Sequence, residues 1–290
     1  MRAFNLNIFA DVDLSLPVAS GHYDIQIRQR KITLPNLEET KIYRAGSQAL
    51  FGSNQTNYFL VWPHMVAFQI TDSRIYYQTL GNIPAGLLRI FILSEALGIL
   101  LHLRGFFMLH ASAIQHKGQA TVFLGTPGAG KSTTIAAFAK GGFHVLSDDL
   151  VAIAPTHPPT VLPSFAEIKI WKNTALGLGI SPSDLSPAWE GKEKYIMAVH
   201  DALYEKPAYP LKKIKILTSP TDGYTATSPL LGPVELLKHF PLPHQLLSHK
   251  SLQNHFETSS LILSEAEIST LTRPESFQSL LHYVQDFGTL

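Results

Sequence analysis

The sequence predicts an α/β fold in which a small β-rich amino-terminal lobe precedes a larger core. Three observations support this. From Phe4 to about Leu80, polar residues alternate with β-branched or aromatic ones, which is the period of half-buried strands. The stretch "ATVFLGTPGAGKSTTIAAFA" has the form of a strand, a glycine-rich loop and a helix. From Val234 onward, apolar residues recur at helical spacing. We expect the lobe to cover residues 1–82 and the core residues 83–290.

Composition supports a globular protein and excludes several classes of function. The chain has 290 residues, of which 45% are hydrophobic and 16% are charged, so it can bury a large core. The formal net charge is +1, so no overall charge attracts nucleic acid or an anionic membrane. Because there is no cysteine, disulfides, thiolate nucleophiles and cysteine-ligated metals are excluded. We expect a cytoplasmic protein.

One apolar segment, Ile83 to Gly105, is long enough to span a bilayer. It contains Arg89, Glu95 and His102, and each ionised side chain would cost about 3 kcal/mol at mid-bilayer. We therefore expect a buried helix of a soluble protein and no membrane partner.

The glycine-rich loop matches a phosphate-binding motif. Gly125, Gly130, Lys131 and Ser132 satisfy G-x-x-x-x-G-K-[ST] between a predicted strand and a predicted helix. Backbone N–H groups at such a helix start bind phosphate oxygens, the lysine contacts the β and γ phosphates, and the serine ligates magnesium. We expect ATP with Mg²⁺ as the cofactors. The predicted nucleotide-binding residues are Gly125, Thr126, Pro127, Gly128, Ala129, Gly130, Lys131, Ser132 and Thr133.

A pair of aspartates, Asp148 and Asp149, follows one helix and one strand later in "FHVLSDDLVAI". A parallel neighbouring strand would bring them to the carboxyl edge of the sheet, beside the phosphates. Adjacent strand residues point to opposite faces, so we expect one aspartate to ligate magnesium and the other to accept a proton.

Several segments together resemble the catalytic domain of the HPr serine kinase/phosphorylase superfamily: "MLHASAI", "FLGTPGAGKSTTIAAFAKGGFHVLSDDLVAI" and "EIKIW". A closer resemblance is to HPr-kinase-related proteins of lasso-peptide gene clusters, through "LHAS", "GKST", "LSDD", Lys194-Tyr195 and the final "LTRPESF". The resemblance is strong over about Phe106 to Ile180. It implies a P-loop kinase core of the HPr-kinase/PEP-carboxykinase-like type.

The resemblance also implies roles for individual residues. Asp148 matches the general base and Asp149 a magnesium ligand. His110 matches a histidine near the metal and phosphates, and Glu167 matches an acidic position linked to the metal. The glutamate motif continues as "EIKIW" rather than the "EIRG" of the bifunctional enzymes, so a phosphorylase activity is not implied.

Other residues are interpreted from the sequence alone. Lys194 lies in a polar, proline-marked excursion, "GISPSDLSPAWEGKEKYIM", and is our candidate for a cation that stabilises the transferred phosphoryl group. We expect His239, His244 and His249 to be surface residues and Trp171 to pack in the core.

The leading functional hypothesis is an ATP-dependent serine kinase. The resemblance implies as acceptor the last serine of a precursor peptide, in lasso-peptide-type biosynthesis. Two alternatives stay open: a kinase of a small hydroxylated metabolite, and a nucleotide-binding module without phosphoryl transfer. We expect a peptide or small-protein partner carrying a serine, no nucleic-acid partner, and possible homo-oligomers.

Overall fold

The amino-terminal part of the chain forms one mixed sheet. A computed structural model describes residues 1–165, 167–189, 193–199, 206–218 and 232–289. The sheet has the order β1-β2-β3-β8-β7-β6-β5-β4, so that β4 is an edge strand. Its strands are β1 (Arg2–Ala3), β2 (Leu6–Ala10), β3 (Ile25–Gln29), β4 (Glu38–Arg44), β5 (Ser47–Asn54), β6 (Asn57–Trp62), β7 (Val66–Ile70) and β8 (Arg74–Thr79). Thr71 to Ser73 form the turn that joins the antiparallel pair β7 and β8.

The apolar segment is a helical run, as predicted. It consists of α1 (Ala85–Phe91), a π-helical turn (Ile92–Ala96) and α2 (Leu97–Leu103). By length and composition the run could cross a membrane, but 78% of its most apolar window is buried inside the protein. Its buried charges have partners: Arg89 donates to Glu167 at 2.7 Å, and Arg44 pairs with Glu95.

A second sheet carries the glycine-rich loop. Its path has the order β12-β10-β11-β18-β14-β13-β9, with β19 added beside β18. Its strands are β9 (Phe107–Leu109), β10 (Ser112–His116), β11 (Gln119–Leu124), β12 (His144–Ser147), β13 (Val151–Ala154), β14 (Thr160–Leu162), β18 (Tyr209–Thr218) and β19 (Glu267–Thr272). The helix α3 (Lys131–Lys140) follows β11.

Two apolar stretches of the sequence each form two strands rather than one. "FFMLHASAIQ" splits into β9 and β10 around His110 and Ala111, and "FHVLSDDLVAI" splits into β12 and β13 around Asp148 to Leu150. β9 pairs with β13 and β10 pairs with β12, although the two pairs stand at opposite ends of the sheet path. The sheet therefore curls until its ends meet at the two breaks.

The neighbour predicted for the aspartate strand is wrong. β10 is antiparallel to both β11 and β12 and lies between them. β12 is thus parallel to β11 but one strand away. The carboxyl ends of β11 and β12 still lie at the same edge, so the aspartates reach the glycine-rich loop as expected.

The remaining elements pack around this core. β15 (Glu167–Trp171), β16 (Ser186–Pro187) and β17 (Lys194–Ala198) form a small antiparallel sheet. Lys194 therefore lies on a strand opposite Trp171, and the described part of the predicted excursion is not a free loop. The later helices are α4 (Lys172–Gly177), α5 (Gly232–Lys238), α6 (His249–Glu265) and α7 (Phe277–Thr289).

Neighbouring residues around residue 110 belong to different parts of the hydrophobic core. Phe107, Leu109, Ala111 and Ala113 share one buried cluster, whereas Met108 belongs to another. That second cluster joins the amino-terminal sheet and the helical run to later residues such as Leu242. The protein is a mixed α/β fold with several sheets. The division at residue 82 stays a prediction.

Candidate functional site

The glycine-rich loop has the backbone geometry of a phosphate-binding loop. Gly128 has φ 87° and Gly130 has φ 95°, a conformation that glycine adopts without steric cost. The Ala129 N–H donates to Thr126 O at 3.0 Å, and the ten-residue helix α3 begins at Lys131. The start of this helix can bind anions, because its first N–H groups have no partner within the helix.

Lys131 lies folded against this loop. Its Nζ donates to Gly125 O at 2.8 Å, and the side chain is buried, which lowers its pKa. Ser132 follows at the first turn of the helix, where its Oγ lies 3.2 Å from Asp148 Oδ1. The motif and the first aspartate are therefore in direct contact.

Asp148 is the most enclosed group of the site. It accepts hydrogen bonds from Ser112 Oγ at 2.8 Å and from the Lys169 N–H at 3.2 Å, in addition to the contact with Ser132. Burial, followed by the charge of Asp149, raises its pKa to about 6. A carboxyl with this pKa changes protonation just below neutral pH.

Asp149 has a different environment. Its φ is 69°, in the left-handed region that aspartate tolerates better than most residues. Its carboxylate is 24% exposed and pairs with Lys169 Nζ at 2.9 Å. Burial alone would raise the pKa, but Lys169, followed by Lys194, outweighs it and holds the pKa of Asp149 well below its usual range. Asp149 stays ionised throughout the physiological range.

The backbone break at the aspartates also orients His110. The His110 Nδ1 lies 2.9 Å from the carbonyl oxygen of Asp149, which can only accept, so Nδ1 carries a proton. Burial and the charge of Lys131 lower the His110 pKa. The ring is therefore neutral at pH 7, and its Nε2 is available as an acceptor.

Most of the predicted residues line one cavity of about 680 Å³, which we call the phosphate pocket. His110, Lys131, Ser132, Asp149 and Lys194 all line it, and Asp148 lies directly behind Ser132. Of the predicted loop residues, Pro127, Gly128, Gly130 and Thr133 also line it. Lys194 Nζ lies 5.4 Å from the centre of the Trp171 ring.

Glu167 does not join this group in its described contacts. Its Oε1 accepts from Arg89, while Oε2 is buried without a hydrogen-bond partner among the described residues. It stands two residues before Lys169 on β15, and its ion pair with Arg89 joins this strand to α1. Its metal role stays a prediction.

The donor atoms around Ser132 suit magnesium. Ser132 Oγ and the carboxylates of Asp148 and Asp149 are oxygen ligands, which Mg²⁺ prefers, and Mg²⁺ usually takes one or two carboxylates together with substrate phosphates. Within the described ranges there is no group of three or more His, Asp or Glu side chains that could hold a metal by themselves. Ser132, Asp148 and Asp149 therefore fit a magnesium ion that takes its other ligands from outside the protein.

Sequence reasoning missed several residues of the phosphate pocket. Lys169 contacts both aspartates, and its place two residues after Glu167 was an available signal. Arg273 packs so close to the loop that a Cβ on Gly130 would stand 2.8 Å from its Cδ. Tyr43 and Arg44 reach the pocket from β4, for which the sequence gives no local signal.

Two expectations about side-chain burial are wrong. Trp171 is 52% exposed at the rim of the phosphate pocket, because it ends β15 rather than packing in the core. His239 is buried beside Glu235, its neighbour one helical turn earlier, and burial lowers its pKa to about 4. His244 and His249 are exposed, as predicted.

The chain has distant likenesses among solved structures. No protein-family model and no curated protein matches the sequence. The structure of the Hpr(Ser) kinase/phosphatase from Coxiella burnetii is similar over 42% of this chain, with 14% identity and a TM-score of 0.30. The match spans 66% of that protein, just under two thirds of its length. A likeness of this size assigns no function.

Proposed function

We propose that the protein is an ATP-dependent kinase that transfers the γ-phosphoryl group of ATP to a serine hydroxyl of a peptide. The observation that carries this proposal is the contact of the phosphate loop with the aspartate pair: Ser132 Oγ lies 3.2 Å from Asp148 Oδ1, and Asp149 shares a cavity with Lys131. A nucleotide-binding module needs the loop alone. The buried carboxyl with a raised pKa favours phosphoryl transfer to a hydroxyl.

The pKa values support a division of work between the aspartates. A general base is most effective when its pKa lies near the working pH, and Asp148 meets this condition with a pKa of about 6. A metal ligand must be deprotonated, and the lowered pKa of Asp149 ensures this. We therefore assign Asp148 as the base and Asp149, with Ser132, as magnesium ligands.

The remaining groups position and neutralise the phosphates. Lys131 and the loop N–H groups would hold the β and γ phosphates, and magnesium, when bound, would neutralise part of their charge. Lys194 and Arg273 add two cations to the same pocket. In the transfer, the serine oxygen bonds to the γ-phosphorus, the bond to the β–γ bridging oxygen breaks, and ADP leaves while Asp148 takes the hydroxyl proton.

One observation favours the opposite division of roles. Asp148 contacts Ser132 directly and is only 6% exposed, whereas the carboxylate of Asp149 is 24% exposed and lines the pocket. In that division Asp148 would lie on the metal side and Asp149 would face the acceptor. The two assignments differ in their metal dependence, which the experiment below uses.

The acceptor is proposed on the resemblance in sequence. It implies the final serine of a precursor peptide, as in lasso-peptide biosynthesis, and a small hydroxylated metabolite is the alternative. The phosphate pocket is rimmed by exposed Tyr43 and Trp171, at 68% and 52% exposure. Two exposed rings suit a peptide better than a small polar metabolite, because they offer apolar contact beyond the reacting hydroxyl.

Intact-mass spectrometry of a serine-terminated peptide with ATP and Mg²⁺ tests the proposal. We expect one or more added phosphate masses with the wild type, and a rate lower by about a hundredfold to ten-thousandfold with Asp148→Asn. Asp149→Asn should instead raise the Mg²⁺ concentration needed for half-maximal rate. Exposed Asp184→Asn is the matched control.

Three results would change the interpretation. A raised Mg²⁺ requirement in Asp148→Asn and a purely lower rate in Asp149→Asn would reverse the two roles. Transfer to small hydroxylated metabolites but to no peptide would favour the metabolite kinase. Nucleotide binding without transfer to any acceptor would refute the kinase proposal.

A further inference from the structure

A second cavity adjoins the phosphate pocket. It has a volume of about 820 Å³, within the usual range of ligand sites of about 300–1,000 Å³. We call it the apolar cavity, since much of its lining is apolar: Ile42, Ile216, Leu237, Phe240, Leu242 and Leu247. None of the catalytic steps described above uses these side chains.

The apolar cavity adjoins the first residues of the loop. Gly125, Thr126 and Pro127 line it, and Lys131 Nζ donates to Gly125 O at 2.8 Å. In phosphate loops the lysine contacts the β and γ phosphates. The phosphoryl group would therefore leave ATP beside the wall that the two cavities share, and the acceptor must approach from this side.

The shared wall includes part of the edge strand β4. Lys41 and Ile42 line both cavities, and the next residues, Tyr43 and Arg44, line the phosphate pocket. β4 pairs with β5 through Glu38, Glu39, Tyr43 and Arg44, with an irregular register between the two pairs, and within the described ranges no strand pairs with its other side. Extended peptides commonly bind by lying along such an edge, with alternate side chains in pockets. A peptide along Lys41 to Arg44 would pass from the apolar cavity into the phosphate pocket.

The charges of the apolar cavity suit the same occupant. Its acidic residue, Glu235, is buried between Lys238 at 2.7 Å and His239 at 3.6 Å. Lys41, which is exposed at the shared wall, has no acidic partner within the described ranges. The cavity thus offers apolar surface under a cationic rim, and it disfavours basic side chains.

We propose that the apolar cavity binds the residues that flank the serine of an extended acceptor peptide, at least one of them bulky and apolar. The peptide lies along β4 and places its hydroxyl in the phosphate pocket. This inference depends on the proposed kinase function for its reaction, but it concerns binding, which can be measured without transfer.

The test uses peptides that cannot be phosphorylated. Two fluorescein-labelled peptides of equal length carry alanine in place of the serine, flanked by leucine in one and by asparagine in the other. Fluorescence anisotropy with the full-length protein, ADP and Mg²⁺ gives their Kd values. We expect the leucine peptide to bind about tenfold more tightly, since a buried leucine contributes about that much.

Variants of one helix locate the binding site. Leu237 on α5 is half-buried and lines the apolar cavity, whereas Val234 on the same helix is 43% exposed and does not line it. Leu237→Ser should weaken the leucine peptide about tenfold and leave the asparagine peptide and ATP affinity unchanged. Val234→Ser should change none of these. Leu247→Ser replaces Leu237→Ser if circular dichroism shows that the latter is misfolded.

Each outcome decides the inference. Tighter binding of the leucine peptide that Leu237→Ser removes supports it, even if no phosphoryl transfer is found, in which case only the kinase proposal fails. Equal binding of the two peptides, or a preference that both leucine variants leave intact, overturns it. A higher KM for ATP in folded Leu237→Ser, without an effect on the peptides, would assign the cavity to the nucleobase and also overturn it.

Discussion

Lys169 contacts both aspartates of the candidate site: its Nζ lies 2.9 Å from Asp149 Oδ2, and its N–H lies 3.2 Å from Asp148 Oδ2. Only 8% of its side chain is exposed, so its charge acts with little screening by water. The charge of Lys169 acts to lower the pKa of both carboxyls. At Asp148, burial and the charge of Asp149 outweigh it, and the pKa is raised overall.

Replacing Lys169 should move the pH dependence of the reaction. In Lys169→Met the pKa of Asp148 rises above about 6 because a nearby positive charge is lost. The base works ionised, so the acidic limb of the kcat profile should shift upward by about one pH unit. Activity lost at pH 7 should return near pH 8.5.

Lys172→Met provides the control for Lys169→Met. Lys172 lies three residues after Lys169, at the start of α4, but its side chain is 47% exposed and pairs with Glu193. Its variant should keep the wild-type profile. An unshifted acidic limb in Lys169→Met would contradict the assignment of Asp148 as the base.

Arg273 should contribute to nucleotide binding. Its N–H donates to Thr218 O at 2.9 Å, which fixes the backbone where β19 ends, and its side chain lies against Gly130 and lines the phosphate pocket. Arg273→Ala should raise the KM for ATP about tenfold to a hundredfold, because charge-assisted hydrogen bonds to phosphate are lost. Steady-state kinetics with ATP varied measures this, with exposed Arg74→Ala as control. An unchanged KM would remove Arg273 from the phosphate site.

Two glycines of the loop should respond differently to alanine. Gly128 and Gly130 both have positive φ, but only at Gly130 would a Cβ meet Arg273, at 2.8 Å. Gly128→Ala should weaken ATP binding by about 1 kcal/mol through backbone strain alone. Gly130→Ala should weaken ATP binding much further. Isothermal titration with ATP compares the two. If the Cβ meets Arg273, the double variant Gly130→Ala/Arg273→Ala should lose less ATP affinity than the two single losses added together, and an additive or larger loss would contradict the contact.

Lys194 should act on the rate more than on ATP binding. It lowers the Asp149 pKa and lines the phosphate pocket, yet its contact is with the exposed ring of Trp171. Lys194→Ala should reduce kcat by about tenfold or more if this cation stabilises the transferred group. Single-turnover rates measure the effect, and Lys31→Ala, at an exposed position after β3, serves as control. A change confined to KM for ATP would give Lys194 a binding role only.

The pair Arg44 and Glu95 should matter for stability in a pH-dependent way. Glu95 is buried, and burial raises its pKa despite Arg44. Arg44→Ala leaves the buried carboxylate of Glu95 without its partner. We therefore expect the free energy of unfolding, measured with urea at pH 8, to fall by about 3 kcal/mol. The loss should shrink as the pH falls, because protonation removes the unpaired charge. Arg44→Ala/Glu95→Gln should recover most of it, and an equal loss at pH 5 and pH 8 would contradict this account.

The sequence predicts the local parts of this site well and the distant parts poorly. The loop geometry follows from Gly125 to Ser132 because each requirement is met within one strand, turn and helix. The contact of Asp148 with Ser132 follows from the spacing of consecutive elements. The breaks at His110 and at Asp148 do not, since both lie inside apolar runs without proline or glycine. Tyr43 and Arg44 come from a sheet more than 80 residues away in sequence, and no local pattern can place them.

The curled second sheet gives the site a mechanical property. His110 and Asp149 lie where the two ends of the seven-strand path come together, and their contact joins these ends. Each strand of the path is twisted relative to its neighbours, so each contributes to the relative position of the two ends. A change of packing in a strand such as β14, which touches no reacting group, therefore alters the spacing of His110 and Asp149. The catalytic rate should therefore depend on packing throughout the second sheet. Core substitutions far from the phosphate pocket should reduce activity before they unfold the protein.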